Sequence, residues 1–383
     1  MKQPLLRVVI ATSLAAACAC TFAASAATAQ SQAGYTPWRL PHAKSQGTIT
    51  TPVPPRREAN YFAAAAAQVV PASQKAIRRD YNGDGRSDLL WHSFYYRTNP
   101  PINATIATWH MNGASVLSSS VFQFQNSGQT SAYAYPGDFN GDGRSDLVIG
   151  HPFGIIPLSL WQGRSDGGFD ATPLSPALFP ARYARLRSNA DLNGDGRDDL
   201  VLHNKTTGKG TFLFMDGPTA IASTTFDLSA AYEINGAGDF DGDGLDDLLC
   251  SDTGLGYLYL WRNRGDGGFD VSLISVYDPT WKIEGNPDLN GDGRADIVWD
   301  HDNSGMVAFW WMDGDSVLRA DTRWMGNTPE GIQTGDFDGD GLGDIAWEGS
   351  YARLWRSRGD GDFDDYLIGA YAWWWRLLPM NVG

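Results

Sequence analysis

An all-β fold, a β-propeller of four-stranded blades, is the architecture that this sequence predicts, and three observations predict it. One nonapeptide rich in Asp and Gly occurs six times between Asp80 and Asp344. Its first Asp recurs at spacings of 58, 53, 48, 49 and 48 residues, and a period near fifty is typical of repeat architectures. A short apolar segment of strand character follows every copy. Four-stranded sheets repeated at this period bury their faces against neighbouring copies, as propeller blades do.

The six nonapeptides carry the oxygen donors of a cation site. Side-chain oxygens at positions one, three, five and nine, together with the backbone carbonyl at position seven, can converge on one hard cation such as Ca²⁺. Gly at positions four and six supplies the turn freedom that such a loop needs. The sequence therefore predicts six structural calcium sites, one in each copy. Their expected ligands are Asp80, Asn82, Asp84, Arg86, Asp88, Asp138, Asn140, Asp142, Arg144, Asp146, Asp191, Asn193, Asp195, Arg197, Asp199, Asp239, Asp241, Asp243, Leu245, Asp247, Asp288, Asn290, Asp292, Arg294, Asp296, Asp336, Asp338, Asp340, Leu342 and Asp344.

The variable positions of the motif agree with this interpretation. Position seven is Arg or Leu, as expected where only the backbone carbonyl is used. Position two is always aromatic or Leu, which suits an anchor in the blade. An EF-hand loop begins in the same way, but it needs a bidentate Glu at position twelve, where this chain has Trp, Ile, Leu or Cys. Metal-free turns would hold three or four carboxylates together with nothing to offset their repulsion, and magnesium is less suited to a flexible cage of protein oxygens.

Each repeat is interpreted as four short strands: one before the motif, one directly after it and two in a hairpin. Copies one, three and five have hairpins with Asn-Gly or Asp-Gly, which marks a tight turn, whereas copies two, four and six have a longer turn with an aromatic residue at each shoulder. The segment from Ala372 to Pro379 resembles the strand before each motif and is expected to help close the ring. The ring has seven blades if residues 35–74 supply the remaining strands and six if they do not; we favour seven.

Residues 1–29 are predicted to be a secretory signal peptide. A basic start precedes an apolar run from Val8 to Ala17, and Ala27-Thr28-Ala29 offers a small-residue cleavage site. A lipoprotein signal with Cys18 or Cys20 as the lipidated residue is the alternative, but no Leu lies three positions before either Cys. No later segment is long and apolar enough to span a bilayer. We therefore expect a secreted, periplasmic or cell-surface protein without membrane insertion.

The rest of the chain divides into a Pro- and Ala-rich linker or partial blade at residues 30–74 and the propeller at residues 75–383. Signal cleavage leaves Cys250 as the sole cysteine, so no internal disulfide is expected. Cys250 occupies a strand position that is Trp, Ile or Leu in the other copies, which indicates a buried structural thiol. The net charge of -15 disfavours nucleic acid and anionic membranes as partners, because both bind through excess Lys and Arg.

The motif, its period and its apolar exit strand resemble the FG-GAP or VCBS repeats of the integrin alpha-chain propeller and of many secreted bacterial proteins. The resemblance covers residues 75 to 383. It implies a calcium-binding β-propeller with ligands at loop positions one, three, five, seven and nine. Asn at position three in four of the copies implies weaker sites there. Members of this family include adhesion receptors, fungal lectins and accessory modules of enzymes, so the fold alone does not determine the function.

Other motifs point less clearly to a function. Arg264-Gly265-Asp266 and Arg358-Gly359-Asp360 match a tripeptide that integrins recognise, but both belong to one repeated turn. Trp161, Trp261 and Trp355 repeat at one strand position, as blade-packing residues do, whereas Trp373 to Trp375 cannot all face one side of a strand. His92, His203, His151 and His301 recur at strand ends, which favours a scaffold role over a zinc site.

The sequence thus favours a non-catalytic binding or adhesion module for a glycan or an extracellular protein. Neither a nucleophilic elbow nor a metalloprotease motif occurs in the chain. One alternative is a hydrolase or lyase that acts on polysaccharide, because the sequence gives no distance between carboxylates. The other is a structural or assembly protein.

Overall fold

Twenty-four β-strands make up the regular structure in the described part of the chain. A computed structural model describes residues 78–93, 104–124, 133–150, 158–175, 184–252, 254–301, 304–326, 328–372 and 374–378. The chain divides into two units, Met1–His42 and Ala43–Gly383, and all of these residues belong to the second. The predicted signal peptide and linker lie outside the described residues. Within the ranges given above, no helix is long and apolar enough to cross a membrane.

The strands follow the predicted order, with one strand directly after each acidic loop and a hairpin after that. In chain order they are β1 (Leu89–Ser93), β2 (Ala104–Asn112), β3 (Ser115–Phe124), β4 (Tyr133–Gly137), β5 (Asp146–Gly150), β6 (Ser159–Gly163), β7 (Phe169–Pro173), β8 (Ala184–Ala190), β9 (Asp199–Asn204), β10 (Lys209–Asp216), β11 (Thr219–Asp227), β12 (Tyr232–Gly238), β13 (Asp247–Asp252), β14 (Tyr257–Asn263), β15 (Phe269–Val276), β16 (Trp281–Gly285), β17 (Ile297–His301), β18 (Met306–Asp313), β19 (Ser316–Trp324), β20 (Gly331–Gly335), β21 (Asp344–Glu348), β22 (Ala352–Ser357), β23 (Phe363–Gly369) and β24 (Trp375–Leu377).

The last strand decides the number of blades. β24 pairs antiparallel with β1, with Leu377 opposite Trp91, and becomes the innermost strand of the first blade. The other five sheets consist of four consecutive strands each, from β4–β7 to β20–β23. The propeller that the described residues form therefore has six blades. The expectation of seven was wrong because the C-terminal strand supplies the strand that the first repeat lacks, whereas its predicted role in closing the ring is confirmed.

The hydrophobic core is divided among the seams between blades. Six clusters of buried residues are present in the described chain, and each contains side chains from two consecutive blades. The strand after each loop is buried on both faces, as in β5 and β9, whereas the outer strand β11 alternates between exposed residues and residues that are partly or fully buried. This pattern arises because the second strand lies inside the blade while the fourth lies at its solvent edge.

The residues predicted to pack the blades lie in these seams. Trp261 and Trp355 are buried, and the ring of Trp261 lies 6.0 Å from that of Phe269. Trp161 is partly buried and packs in the seam between the first and second blades. Cys250 is fully buried, and burial raises the pKa of its thiol, so it is the structural cysteine that the sequence predicts.

A buried glutamine side chain joins the sixth blade to the first. Gln333 of β20 is fully buried, and its Nε2 donates to the carbonyls of Leu90 and Leu378 at 2.6 and 2.9 Å. Its Oε1 accepts the N–H of Leu90 at 3.1 Å. Gln333 therefore ties β20 to β1 and to the segment after β24, where the two ends of the propeller meet.

We expect Gln333→Leu to lower the free energy of unfolding by roughly 2–4 kcal/mol, because it leaves buried backbone groups without partners. Urea denaturation followed by far-UV circular dichroism measures the change. The matched control is Gln123→Leu on the exposed surface of β3, which should change stability by less than about 0.5 kcal/mol. Equal effects of the two substitutions would contradict the proposed role of Gln333.

Candidate functional site

The acidic loops fold around their first Asp. In the first loop, Asp80 Oδ1 accepts the N–H groups of Gly83 and Asp84 at 2.7 and 3.1 Å, and its Oδ2 accepts the N–H of Gly85 at 2.8 Å. The same three bonds occur in all six loops. Both glycines are left-handed, with φ of 76° at Gly83 and 83° at Gly85, so the predicted need for Gly at positions four and six is confirmed.

The ninth-position Asp lies inside the blade. All six of these carboxylates are 0% exposed. In the fourth loop, Asp247 Oδ2 accepts the N–H of Phe240 at 3.1 Å, and its Oδ1 accepts the N–H of Asn263 at 2.7 Å. Phe240 and the other position-two residues are also fully buried, which confirms the predicted anchor. Position nine thus joins the loop to the first strand of its hairpin.

Burial raises the pKa of these carboxyl groups, and neighbouring loop carboxylates raise it further. The pKa is about 8 for Asp146, Asp247 and Asp344 and about 7 for Asp296. In the first loop the carboxylate has a partner, because His110 Nδ1 lies 2.9 Å from Asp88 Oδ2, and this contact raises the pKa of the histidine. A divalent cation would offset the charge that burial disfavours.

Two loops bring three carboxylates together. In the fourth loop, one oxygen from each of Asp239, Asp241 and Asp247 lies within 4.8 Å of the others. In the sixth loop, Asp336, Asp338 and Asp340 meet the same limit. Hard carboxylate oxygens in a flexible loop match the ligands that calcium prefers. The donor set therefore fits the metal that the resemblance implies.

The other four loops have Asn at position three and Arg at position seven, and the arginine lies beside the fifth-position carboxylate. The distance between nitrogen and oxygen is 2.5 Å for Arg144 and Asp142 and 3.2 Å for Arg197 and Asp195. Arg86 and Arg294 make the same contact at 3.6 and 3.8 Å. These loops carry fewer carboxylates at the predicted ligand positions and have an internal counter-charge, so we expect them to attract a cation less strongly.

Two arginines that the sequence analysis did not identify lie beside the fourth and sixth loops. Arg356 Nη1 lies 3.2 Å from Asp338 Oδ2, and Arg262 Nε lies 3.7 Å from Asp241 Oδ2. Both follow the repeated tryptophan of their hairpin, where the second blade has Gln162. A signal was present in the sequence, because Arg occurs at this position only where position three of the loop is Asp.

The loops contact one another in order around the ring. The N–H of each position-eight residue donates to the carbonyl of the first Asp in the preceding loop. The six distances are 2.6 Å for Ser87 to Asp336, 2.6 Å for Ser145 to Asp80, 2.8 Å for Asp198 to Asp138, 3.1 Å for Asp246 to Asp191, 2.7 Å for Ala295 to Asp239 and 2.6 Å for Gly343 to Asp288. This closed series makes one face of the propeller a continuous ring of loops.

In both Arg-Gly-Asp tripeptides the Arg side chain forms an ion pair with the Asp of the same tripeptide. Arg264 contacts Asp266 at 3.3 Å and Asp270 at 3.0 Å. Arg358 contacts Asp360 at 3.3 Å, and the carbonyl of Asp360 accepts a bond from Arg319 at 2.8 Å. In both turns the Arg and Asp side chains face each other, which favours a role in the turn.

The histidines at strand ends make structural contacts where they are described. His203 is buried, and its Nε2 lies 3.2 Å from the carbonyl of Ser229. Burial lowers the pKa of His92 and of His203 to about 4. The ring of His301 lies 4.9 Å from that of Trp281. His151 lies outside the described residues.

Among the described residues, three aromatic side chains are exposed on the face opposite the loops. Trp324 ends β19, Tyr351 lies between β21 and β22, and Trp374 directly precedes β24. Their exposed fractions are 64%, 52% and 39%. Each lies at or next to the end of a strand that is farther from the acidic loops. The three residues belong to the fifth, sixth and first blades, which are consecutive in the ring. Trp375 packs in the core, whereas Trp373 lies outside the described residues.

Comparison with protein families identifies the repeats. The FG-GAP-like repeat model matches residues 80–149 and 288–347, and the FG-GAP repeat model matches residues 135–168. Integrin alpha-V of Gallus gallus is 25% identical over 217 residues, which cover 48% of this chain and 20% of the integrin. The chain therefore spans about a fifth of the length of this relative.

Solved structures with a similar chain trace are more distant. The Tc holotoxin pore of Photorhabdus luminescens has a TM-score of 0.46 and 19% identity, over 82% of this chain and 14% of that one. The WD40 domain of coronin from Toxoplasma gondii has a TM-score of 0.36 and 14% identity, over 70% of this chain and 65% of that one. No functional statement follows from either. The described residues thus form a six-bladed β-propeller, and residues 80–168 and 288–347 of it match FG-GAP repeats.

Proposed function

We propose that this protein is a calcium-stabilised β-propeller that acts outside the cell as a non-catalytic binding module. The observation that carries the calcium assignment is the convergence of three carboxylates in the fourth and sixth loops. The ligands would be the residues at positions one, three, five and nine and the carbonyl at position seven, and calcium would supply the positive charge that the buried carboxylates lack. An extracellular location is supported by the integrin alpha-V relative.

We place the binding surface on the face opposite the loops and propose a glycan as its ligand. Trp324, Tyr351 and Trp374 are exposed there, and exposed aromatic rings of this kind stack on the apolar faces of sugars. The loop face is occupied by the cation loops and by the hydrogen bonds that join them. The opposite face is therefore the better candidate for a ligand.

A glycan array run in calcium tests this proposal, followed by calorimetry with Trp324→Ala. The matched control is Leu318→Ala, an equally exposed apolar residue near the other end of β19. We expect saturable binding that Trp324→Ala weakens by about tenfold or more and that the control leaves unchanged. Turnover of a bound glycan would support a polysaccharide hydrolase or lyase. Binding of a protein alone, or self-association, would point to the protein-binding or assembly alternatives.

Arg356 is expected to weaken calcium binding in the sixth loop. Its guanidinium lies 3.2 Å from Asp338, a predicted ligand, and a partly exposed ion pair of this kind contributes about 0.2–1 kcal/mol. Arg356→Gln, which reproduces the residue of the second blade, should therefore raise the affinity of that loop by roughly 1.4- to fivefold. Calorimetric titration with calcium measures the change. Arg353→Gln is the control, because Arg353 pairs with Asp365 of β23, which lies outside the loops.

The stability of the calcium-free protein should fall as the pH rises. The pKa is about 8 for Asp146, Asp247 and Asp344 in the fold, whereas an unfolded Asp has a pKa of about 3.9. A group whose pKa is raised by folding contributes stability below the unfolded pKa, and this contribution is lost as the pH rises to the folded value. Melting temperatures of the calcium-free protein should therefore decrease from about pH 4 to about pH 8. In saturating calcium the decrease should be much smaller, and parallel curves would contradict the prediction.

A further inference from the structure

We propose that cation binding is coupled from loop to loop around the ring, so that the six loops fill cooperatively. The proposal rests on the calcium assignment made above and concerns how the sites act on one another. The coupling acts through peptide groups that are joined by hydrogen bonds. They connect a predicted ligand of one loop to a predicted ligand of the preceding loop.

The second and first loops show the connection. The peptide between Arg144 and Ser145 has two polar ends: its carbonyl is the predicted position-seven ligand, and its N–H donates to the carbonyl of Asp80 at 2.6 Å. That carbonyl belongs to the peptide between Asp80 and Tyr81. The N–H of Tyr81 in turn donates to Asp88 Oδ2 at 3.1 Å. Two peptide groups and two hydrogen bonds thus connect the Arg144 carbonyl to the carboxylate of Asp88.

The same connection recurs at every loop of the ring. The position-eight N–H bonds occur six times, and so do the bonds from the position-two N–H to the ninth-position carboxylate. The series also closes, because Ser87 of the first loop donates to Asp336 of the sixth at 2.6 Å. A cation in any loop is therefore connected through hydrogen bonds to the preceding loop.

The sign of the coupling follows from the direction of the dipoles. A cation at the Arg144 carbonyl polarises that peptide and makes the Ser145 N–H a stronger donor. The stronger bond polarises the next peptide in the same sense, so the Tyr81 N–H holds the negative carboxylate of Asp88 more firmly in place. A carboxylate that is already ordered and stabilised binds its own cation more tightly. Each filled loop should therefore raise the affinity of the preceding one.

Side-chain packing strengthens the connection between adjacent loops. The aliphatic part of Arg144 covers Gly83 of the first loop so closely that an added Cβ would lie 2.9 Å from Arg144 Cγ. The side chain of Arg86 covers Gly339 of the sixth loop in the same way, at 3.4 Å. Ordering of one loop by its cation thus also restricts the turn of its neighbour.

The experiment is a calcium titration of the stripped wild-type protein together with Ser145→Pro and Ser145→Ala. Proline lacks an N–H group and removes the bond to Asp80, whereas alanine keeps it and loses only the hydroxyl group. Coupling of ordinary size changes the affinity of a neighbouring site by about 5- to 150-fold. We expect a Hill coefficient above one for the wild type and for Ser145→Ala, and a lower value for Ser145→Pro. Far-UV circular dichroism establishes that each protein is folded before the titration.

A second variant leaves the backbone intact. Asp142→Asn changes an exposed position-five ligand of the second loop and should weaken that loop directly. If the loops are coupled, the first loop should also lose affinity; if they are independent, one site weakens and five bind as before. Five unchanged sites in Asp142→Asn, or the same Hill coefficient for Ser145→Pro and Ser145→Ala, would overturn the coupling while the calcium assignment stands. Absence of bound calcium in the folded wild type would instead overturn the proposed function.

Discussion

Removal of calcium by excess chelator should lower the melting temperature of this protein by at least about 20 °C. A ligand present at 100 times its dissociation constant stabilises the folded state by about 2.7 kcal/mol at each independent site, so six loops would together contribute on the order of 10 kcal/mol or more. The effect should be this large because the loops join every pair of adjacent blades, and no disulfide bridges the described residues. Differential scanning calorimetry in calcium and in chelator measures the shift.

The number of bound ions completes this measurement. Atomic emission analysis of the folded, dialysed protein should give about six calcium ions per chain, with the fourth and sixth loops the last to lose theirs because three carboxylates converge in each of them. Magnesium at the same concentration is the control and should restore only part of the stability. A protein that melts at one temperature under all conditions and contains no metal would show that the loops are metal-free Asp and Gly turns.

Asp247→Ala should destabilise the protein both with calcium and without it. This carboxylate is fully buried and accepts the N–H groups of Phe240 and Asn263, so its removal leaves two buried donors without partners. Each such donor costs about 1–3 kcal/mol, and we expect a loss of roughly 2–6 kcal/mol in chelator. The loss in calcium should be larger, because a predicted ligand is missing as well. Urea denaturation in both conditions measures the two values.

Asp243→Asn is the matched control in the same loop. Asp243 is exposed, and an amide oxygen can still accept the N–H of Leu245 that Asp243 Oδ1 accepts at 2.8 Å. This substitution should weaken calcium binding and leave stability in chelator within about 0.5 kcal/mol of the wild type. The pair thus separates the structural role of position nine from the binding role of position five. Equal stability of Asp247→Ala and wild type in chelator would contradict this separation.

The conformation of the loops was predictable from the sequence because it is local. Gly83 and Gly85 adopt left-handed φ values in a turn whose bonds run between residues three to five positions apart. The strand after each loop was equally predictable, since a short apolar run bounded by turn residues is buried wherever the blades pack. The buried thiol of Cys250 followed from the residues at the same position in the other repeats.

Features that depend on distant segments were decided only by the tertiary structure. The number of blades was predicted wrongly, because it depends on the pairing of β24 with β1, at opposite ends of the propeller. The bonds of Gln333 to Leu90 and the contact of Arg356 with Asp338 likewise join different segments. The repeat pattern determined the six loops and the strand that follows each of them. The ring of hydrogen bonds that connects the loops depends on how adjacent blades are aligned. This alignment is set when the sheets pack, so the sequence of a single repeat does not determine it.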